Sequence, residues 1–384
     1  MINVELLSLP DDIEGLMSFA ALGCYQGGKP QSGEMIDLKK RIFDVGHHTV
    51  LQHINATFWV EGLAVSDFTF GLHLCHPFYN TSQRSGRFCA TMFSSPDLGQ
   101  IEGYIDHYWP NIRGRDFGMV MNFIKDGLKV YNENIARATE LARESIKQER
   151  PNASAKYIEA NASKFAQEQL RVFVPTIFPT AATITINLST LVAMAKTAWT
   201  PTLKDVTKKM ANLILAKHPK LSFMFEAVDG GMGRDFWEWA PEFLGADSGA
   251  VIERPTAKLR RLNYSCASIF PKDLEIHPTD LLNFHTLLMD NRYTRVEVDV
   301  EMSLATMGQD KRHRTIERTK PVITGRFYLP PLAKACGLEE KAKEYIVRYM
   351  KIRRALNMSG QKTLATAIVP YGATGSYTKI FNLN

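Results

Sequence analysis

Long apolar runs are missing from this 384-residue sequence. No stretch approaches the roughly 18 consecutive apolar residues of a membrane helix. Cysteine is scarce and odd in number: Cys24, Cys75, Cys89, Cys266 and Cys336, none in CxxC spacing. That argues against a disulfide framework and against a zinc site. His47-His48 lacks HExxH spacing, and His218 has no second His or Cys at ligand distance, so no metal is expected. The opening Met1-Ile2-Asn3-Val4-Glu5 carries neither the basic region nor the long apolar region of a secretory leader, and a reducing cytoplasm is the expected compartment. Charge of one sign is not in large excess either. The net charge of +6 suits an anionic small molecule or a nucleic acid and proves neither. With 45% hydrophobic and 22% charged residues the composition is ordinary for a globular chain, and the length fits two or three domains.

What is present is organised. Ile54, Ala56, Phe58 and Val60 alternate with Asn55, Thr57, Trp59 and Glu61, which predicts a strand. Val120, Ile124, Leu128, Tyr131, Ile135, Ala138, Ala142 and Ile146 step by threes and fours, which predicts a long amphipathic helix over 119–146. Further helices are expected through Tyr157–Leu170, Leu188–Thr200, Leu203–Ala216 and Ala342–Ala355. Thr294, Val296, Val298 and Val300 alternate with Arg295, Glu297 and Asp299, a second strand of the same kind. The Gly-rich, aromatic stretch 228–246 reads as a connection.

The chain also repeats itself. After the first strand come Ser66 and, ten residues later, His76; after the second come Ser303 and, ten later, His313. Val174-Pro175 is followed twelve residues after its Pro by Asn187-Leu188, and Val369-Pro370 twelve after its Pro by Asn382-Leu383. The His-to-Pro distance is 99 residues in the first copy and 57 in the second. Three segments follow: a first unit at 1–225, a connection at 226–270 and a second, truncated unit at 271–384. A unit lacking its last helix exposes an apolar face, so a neighbouring chain or a different closure is expected there.

Two stretches carry chemistry. Lys311-Arg312-His313-Arg314 concentrates positive charge after a strand, and guanidinium forks match phosphate oxygens. A solvated basic loop or a nucleic-acid patch reads the same way. In Gln83-Arg84-Ser85-Gly86-Arg87-Phe88, Ser85 offers a hydroxyl and Arg87 a phosphate fork, on one face if the segment is extended. Gln83 can both donate to and accept from a pyrimidine edge. A polar surface loop is the plainer alternative. His53 also reads as a satisfied histidine, and Asn187 as a helix N-cap ahead of Leu188. Gly23-Cys24-Tyr25-Gln26-Gly27-Gly28-Lys29-Pro30 nearly spells a phosphate-binding loop, but Pro30 stands where a Mg²⁺-ligating hydroxyl belongs, and that reading is rejected.

Together these stretches resemble the flavin-dependent thymidylate synthases. That family carries Gln-x-x-Arg-His-Arg, seven residues, then Ser-x-Arg-Tyr. Here Gln309-Asp310-Lys311-Arg312-His313-Arg314 matches the first part, and Ser85-Gly86-Arg87-Phe88, nine residues after His76, matches the second. Gly46-His47 through His53 and Phe58 resembles the family's Gly-His, Glu-His, Phe pattern. Arg171 through Pro175 and Asn187-Leu188 resemble its Arg-x-x-Leu-Pro and Asn-Leu-Arg. The resemblance implies an α+β fold made of two copies of a mixed sheet flanked by helices. It implies FAD held by His53, His76, Asn187, Arg312, His313 and Arg314. It implies a nucleotide held by Gln83, Ser85, Arg87, Arg171 and Gln309, with Ser85 and Arg87 at the reacting base. The implied reaction is C5 methylation of dUMP to dTMP with methylenetetrahydrofolate and NADPH, which needs no cysteine nucleophile. Family sites are assembled from several subunits of a homotetramer, so a dimer of tandem units, a pseudo-tetramer, is expected, with no membrane and no nucleic-acid partner.

The departures are informative. Cys75 and Pro77 stand where the family has the two arginines of Arg-His-Arg, while Val322 and Thr324 fall where the second copy's Ser and Arg belong. Ser189 replaces the Arg of Asn-Leu-Arg, and Ala193 replaces a His. Each copy keeps what the other has lost, which points to a composite site. A related pyrimidine C5 modification such as hydroxymethylation, or a non-catalytic or incomplete subunit, stays open beside thymidylate synthesis.

Overall fold

The computed structural model describes residues 1–72, 79–86, 89, 94–226, 242–243, 249–263, 295–311, 313 and 316–382. β1 (Asn3–Ser8), α1 (Ile13–Tyr25) and β2 (Asn55–Ala64) open the chain. The alternation read in β2 is real: Ala56, Phe58 and Val60 are buried, with Thr57 and Trp59 half-buried between them and Asn55 and Glu61 exposed on either side. β2 runs into α2 (Val65–Asp67), continued by a π turn at Phe68–Leu72. β3 (Tyr79–Gln83) follows, then α3 (Leu98–Tyr108) and a helical hairpin of α4 (Gly114–Glu149) and α5 (Ala155–Leu170). β4 (Pro179–Asn187), α6 (Leu188–Thr197) and α7 (Pro201–Leu215) complete the first half. α6 ends at Thr197, short of the expected Thr200, because the Thr200 hydroxyl caps α7 by accepting from the Leu203 N–H.

The second half contains β5 (Glu242–Phe243), β6 (Val251–Ile252), β7 (Thr256–Asn263), β8 (Arg295–Ser303), α8 (Leu304–Asp310), β9 (Glu317–Arg318) and β10 (Val322–Tyr328). α9 (Pro331–Ala335), α10 (Glu339–Met358), α11 (Lys362–Ala367) and β11 (Ala373–Asn382) follow. β7 lies within 226–270, so that segment is more than a connection: it supplies a strand of the second sheet. Most of 228–246 falls outside the described residues.

The first sheet has the order β1-β2-β4-β3, all antiparallel. The second contains β7-β8-β11-β10, again antiparallel, with β5 and β6 added parallel to β10 and β9 paired to β11. The four-strand order is the same in both. Asn55 pairs with Asn187 and Arg295 with Asn382, each Asn twelve residues after its Val-Pro. Ala64 faces Pro179, and Ser303 faces Thr374. Ser303 therefore shares a rung with Ala64, two residues from the Ser66 that the sequence spacing equates with it. A bulge at Gly62 (φ 84°) contributes to the shift. On the third strands Thr81 faces Ile184 and Arg318 faces Lys379, both nine residues past the Pro, so His76 and His313 each lie five residues before equivalent rungs.

The two Val-Pro segments meet. Pro175 and Pro370 form an antiparallel bridge. The Thr176 N–H donates to Val369 O at 2.8 Å and the Tyr371 N–H to Val174 O at 3.0 Å, a reciprocal exchange. Around it one apolar core runs through both halves. Phe123 stacks on Tyr345 at 4.3 Å between centroids, and Phe173 lies 5.2 Å from Phe327. Among the described residues no helix is long and apolar enough to cross a membrane.

Gly127 sits inside α4 where this core is tightest. A Cβ there would overlap the Phe173 carbonyl oxygen and the Tyr345 hydroxyl. An exposed helical Gly→Ala change gains about 1 kcal/mol. Here overpacking against backbone outweighs that gain, and Gly127→Ala should cost about 1–2 kcal/mol in urea unfolding. A gain in stability would show that the two halves are less tightly joined than described.

Candidate active site

Gln83 ends β3 opposite Ala182, and the Arg84 N–H continues the ladder to Ala181 O at 2.8 Å. The chain then turns: Ser85 O accepts from the Cys89 N–H at 3.0 Å. The extended segment that would set Ser85 and Arg87 on one face therefore stops at Ser85. Arg84 pairs with Glu61 at 3.1 Å. Arg87 and His76 lie outside the described residues.

His53 and Asn187 come together at the other end of the first sheet. Ile54 O accepts from the Leu188 N–H at 2.9 Å, and the next residue, Asn55, pairs with Asn187. Asn187 caps α6, its Oδ1 accepting from the Thr190 N–H at 2.8 Å, as the plainer reading had it. His53 is exposed. Six residues of β4 separate Asn187 from Ala181, about 20 Å along a strand. The first half thus holds its two sets of expected site residues at opposite ends of one sheet.

Arg171 lies where the halves meet. Its guanidinium carbon is 5.6 Å from the centre of the buried Tyr371 ring. Burial pushes the Tyr371 phenol up to about 12, with Arg171 pulling the other way. Tyr371 O accepts from the Ala305 N–H at the foot of α8, the helix that carries Gln309.

The Arg-His-Arg segment begins at the end of α8, which Ser303 caps by accepting from the Thr306 N–H at 3.2 Å. Lys311 is not part of a solvated basic face. It is 2% exposed, and its ammonium lies 5.6 Å from the Phe70 ring of the first half. His313 is exposed, while Arg312 and Arg314 lie outside the described residues. Asp310 accepts from Arg318 Nε at 2.8 Å, from the Tyr377 hydroxyl at 2.8 Å and from Lys379. Burial pulls its carboxyl upward, and these donors outweigh that pull and hold it below the ordinary carboxylate range. Arg318 and Lys379 flank this one carboxylate, which leaves a net positive charge at the end of α8. These cations act through their field, which favours an anionic cofactor, because their own donors are already engaged within the protein.

Among the described residues the second half offers no matching nucleotide side. Val322 faces Ser376, six residues after its Pro, on the rung that Arg84 occupies opposite Ala181. Ile323, rather than Val322, therefore stands in the place of Ser85. Glu61 and Glu301 share a rung, facing Ala181 and Ser376. Glu301 is buried, accepting from Thr324 at 2.9 Å and Thr374 at 2.6 Å, with Arg326 as its ion-pair partner. Thr324 is thus a structural hydroxyl.

One buried group gives no local signal in the sequence. Asp67 in α2 accepts from Thr200 at 2.9 Å and Thr202 at 2.8 Å, all on Oδ1, and its Oδ2 is buried without a hydrogen bond. Burial raises its carboxyl to about 6 against the two hydroxyls. Among the described residues no group of three His, Cys, Asp or Glu side chains is placed to hold a metal.

A family model described as thymidylate synthase complementing protein matches residues 5–220, more than half of the chain. The chain belongs to that family, the flavin-dependent thymidylate synthases, and is an FAD-dependent enzyme of that type. Two solved structures are similar at a distance. Thymidylate synthase X (ThyX) from Helicobacter pylori with FAD and dUMP shares 15% identity over 59% of this chain and 100% of that one, with a TM-score of 0.38. The UMP/dUMP methylase PolB from Streptomyces cacaoi bound with 5-Br UMP shares 14% over 58% and 95%, with a TM-score of 0.36. No curated protein matches the chain.

The Asp67 environment sets a pH dependence. The folded protein keeps this proton up to about pH 6, whereas the unfolded chain releases it near 4. Its contribution is therefore fully present below pH 4 and lost as pH rises through 6. Two pKa units correspond to about 3 kcal/mol. Urea unfolding of the parent and Asp67→Asn at pH 4, 5, 6 and 7 should show this fall in the parent and a flatter curve in the variant. Parallel curves would rule the account out.

Proposed function

We propose that this chain methylates dUMP at C5 to give dTMP, using FAD, methylenetetrahydrofolate and NADPH, at a site composed from both halves. The observation that carries this reading is that Lys311, the residue before the Arg312-His313-Arg314 of the second half, packs against Phe70 of the first. FAD supplies the hydride chemistry when bound. Arg312, His313 and Arg314 hold its anionic part, with His53 and Asn187 lining the cofactor side. Gln83 hydrogen-bonds the pyrimidine edge, Ser85 and Arg87 hold the nucleotide, and Arg171 and Gln309 complete its surroundings.

The identical strand order of the two sheets, the matched rungs and the Val-Pro exchange support descent from a tandem duplication. On this reading the chain is the equivalent of two family subunits. It works in the cytoplasm as a dimer, a pseudo-tetramer. Ser189, in the first turn of α6 beside Asn187, stands in place of the family's Arg. That loss of a phosphate-binding cation favours a modified substrate side as the second reading, a related C5 alteration such as hydroxymethylation.

The test is an absorption spectrum of purified protein with FAD, before and after dUMP. A flavin band that shifts with dUMP is expected. Arg312→Ala should weaken FAD at least about tenfold, and Arg87→Ala should keep FAD and weaken dUMP by a similar factor, each the loss of a charge-assisted hydrogen bond. If both variants bind like the parent, the composite site is wrong. If the parent takes up no FAD, the non-catalytic reading replaces it.

A further inference from the structure

We propose that Arg318 is the positioning residue of the Arg-His-Arg loop, the strut to which Asp310, His313 and Ile316 are all tied. Its side chain is 9% exposed. Nε donates to Asp310 Oδ2 at 2.8 Å. Nη1 donates to Ile316 O at 2.7 Å and His313 O at 3.1 Å. Nη2 donates to His313 O at 3.1 Å and to Asp310 O. Five bonds engage the five N–H groups of a guanidinium. This arginine has no donor left for a phosphate. It acts on its own loop, before and after the Arg-His-Arg.

The strut is anchored to the sheet. Asp310 is held from β11, a central strand, by the Tyr377 hydroxyl and Lys379. β9 pairs Arg318 itself with Lys379. The force path runs from a core strand through one carboxylate and one guanidinium to three loop carbonyls. The exposed His313 side chain then leaves a backbone fixed at its own carbonyl. Arg318 and Lys379 against Asp310 leave one net positive charge in the cluster, whose field favours an anion nearby. Only a planar fork can reach carbonyls on several sides at once; an ammonium is a point donor.

The inference rests on the cofactor reading above, and its test separates the two. Full-length parent, Arg318→Lys, Arg318→Gln and the milder Tyr377→Phe are compared by hydrogen exchange of the 310–318 peptide and by FAD titration. Gly127→Ala serves as a control destabilised elsewhere. Exchange in 310–318 should rise by about tenfold or more in both Arg318 variants, with the rest of the second sheet unchanged. Tyr377→Phe, losing one hydrogen bond, should give about three- to tenfold, which keeps the test open if the Arg318 variants do not fold. FAD should weaken by about tenfold in Arg318→Lys and Arg318→Gln, while Gly127→Ala stays near the parent. Unchanged exchange, or an Arg318→Lys that behaves as the parent in both assays, overturns the strut. A parent that binds no FAD overturns the cofactor reading, and the exchange rates still decide the strut.

Discussion

The reciprocal exchange at Pro175 and Pro370 is the constraint on which the rest of the structure depends. Proline has no N–H to give, so each Val-Pro segment joins the other through the residues on either side. Thr176 and Tyr371 donate across to Val369 and Val174. Their carbonyls then take the first N–H of the next layer: Ser66 donates to Thr176 O at 2.9 Å and Ala305 to Tyr371 O at 3.0 Å. The same few residues thus fix both central strands and the starts of both helices, α2 and α8, that lead toward the expected site segments. Buried backbone groups must be paired, and here the partner of each half is the other half. The aromatic contacts of Phe123, Phe173, Phe327 and Tyr345 close over this junction, which leaves little freedom for one half to turn against the other.

The two halves share rungs but fill them differently. Glu61 is exposed and holds Arg84 at the rim, where a ligand could compete for either group. Glu301, on the corresponding rung, is buried and satisfied by two threonine hydroxyls and Arg326. A buried carboxylate repels a phosphate and gives up hydrogen-bonded partners only at high cost. Across the third strands, Thr81 of the first sheet corresponds to Arg318 of the second, so only the second half has the guanidinium strut. The asymmetry is a matter of packed side chains and runs deeper than the letters of a motif.

Much of this fold is legible in the sequence, and the exceptions have physical causes. The helices over 114–149, 155–170, 201–215 and 339–358 and the strands β2 and β8 declare themselves by apolar periodicity. The central strand β11 does not, and β4 does so only in its second half, where Ile184 and Ile186 alternate with Thr183 and Thr185. In the first half of β4 Thr180, Ala181 and Ala182 are buried in succession, and in β11 Ala373, Thr374 and Gly375 are, which erases there the alternation a half-exposed strand shows. The repeat is legible as spacing but misses by two residues at Ser66, beyond the Gly62 bulge, and by one at Val322, just after Pro321. A fixed offset cannot follow a strand that gains or loses a residue. His53 and Asn187, far apart in sequence, adjoin through the pairing of Ile54 and Asn55 with Leu188 and Asn187. Arg318 is invisible because four of its five bonds go to backbone carbonyls, which any sequence supplies. Asp67 is invisible because its partners Thr200 and Thr202 lie more than 130 residues away.

The division of the motif follows from where charge is affordable. Four successive basic or ionisable positions repel one another, and such a loop persists only where its backbone is tied and its field is used. In the second half that tie exists: Asp310 below, Arg318 within, Lys379 behind. In the first half Cys75 and Pro77 stand in place of both arginines, and the two removed cations need no strut. What the first half gives up, it meets again across the junction. Phe70, five residues before Cys75, receives the ammonium of Lys311, the residue next to Arg312. Lys311, at least, is thereby tied to the half that lost its own cations. Within the first sheet, by contrast, His53 and Ser85 stand at opposite ends of β4. The first sheet alone therefore holds these two residues about 20 Å apart, so neither end of it brings both together.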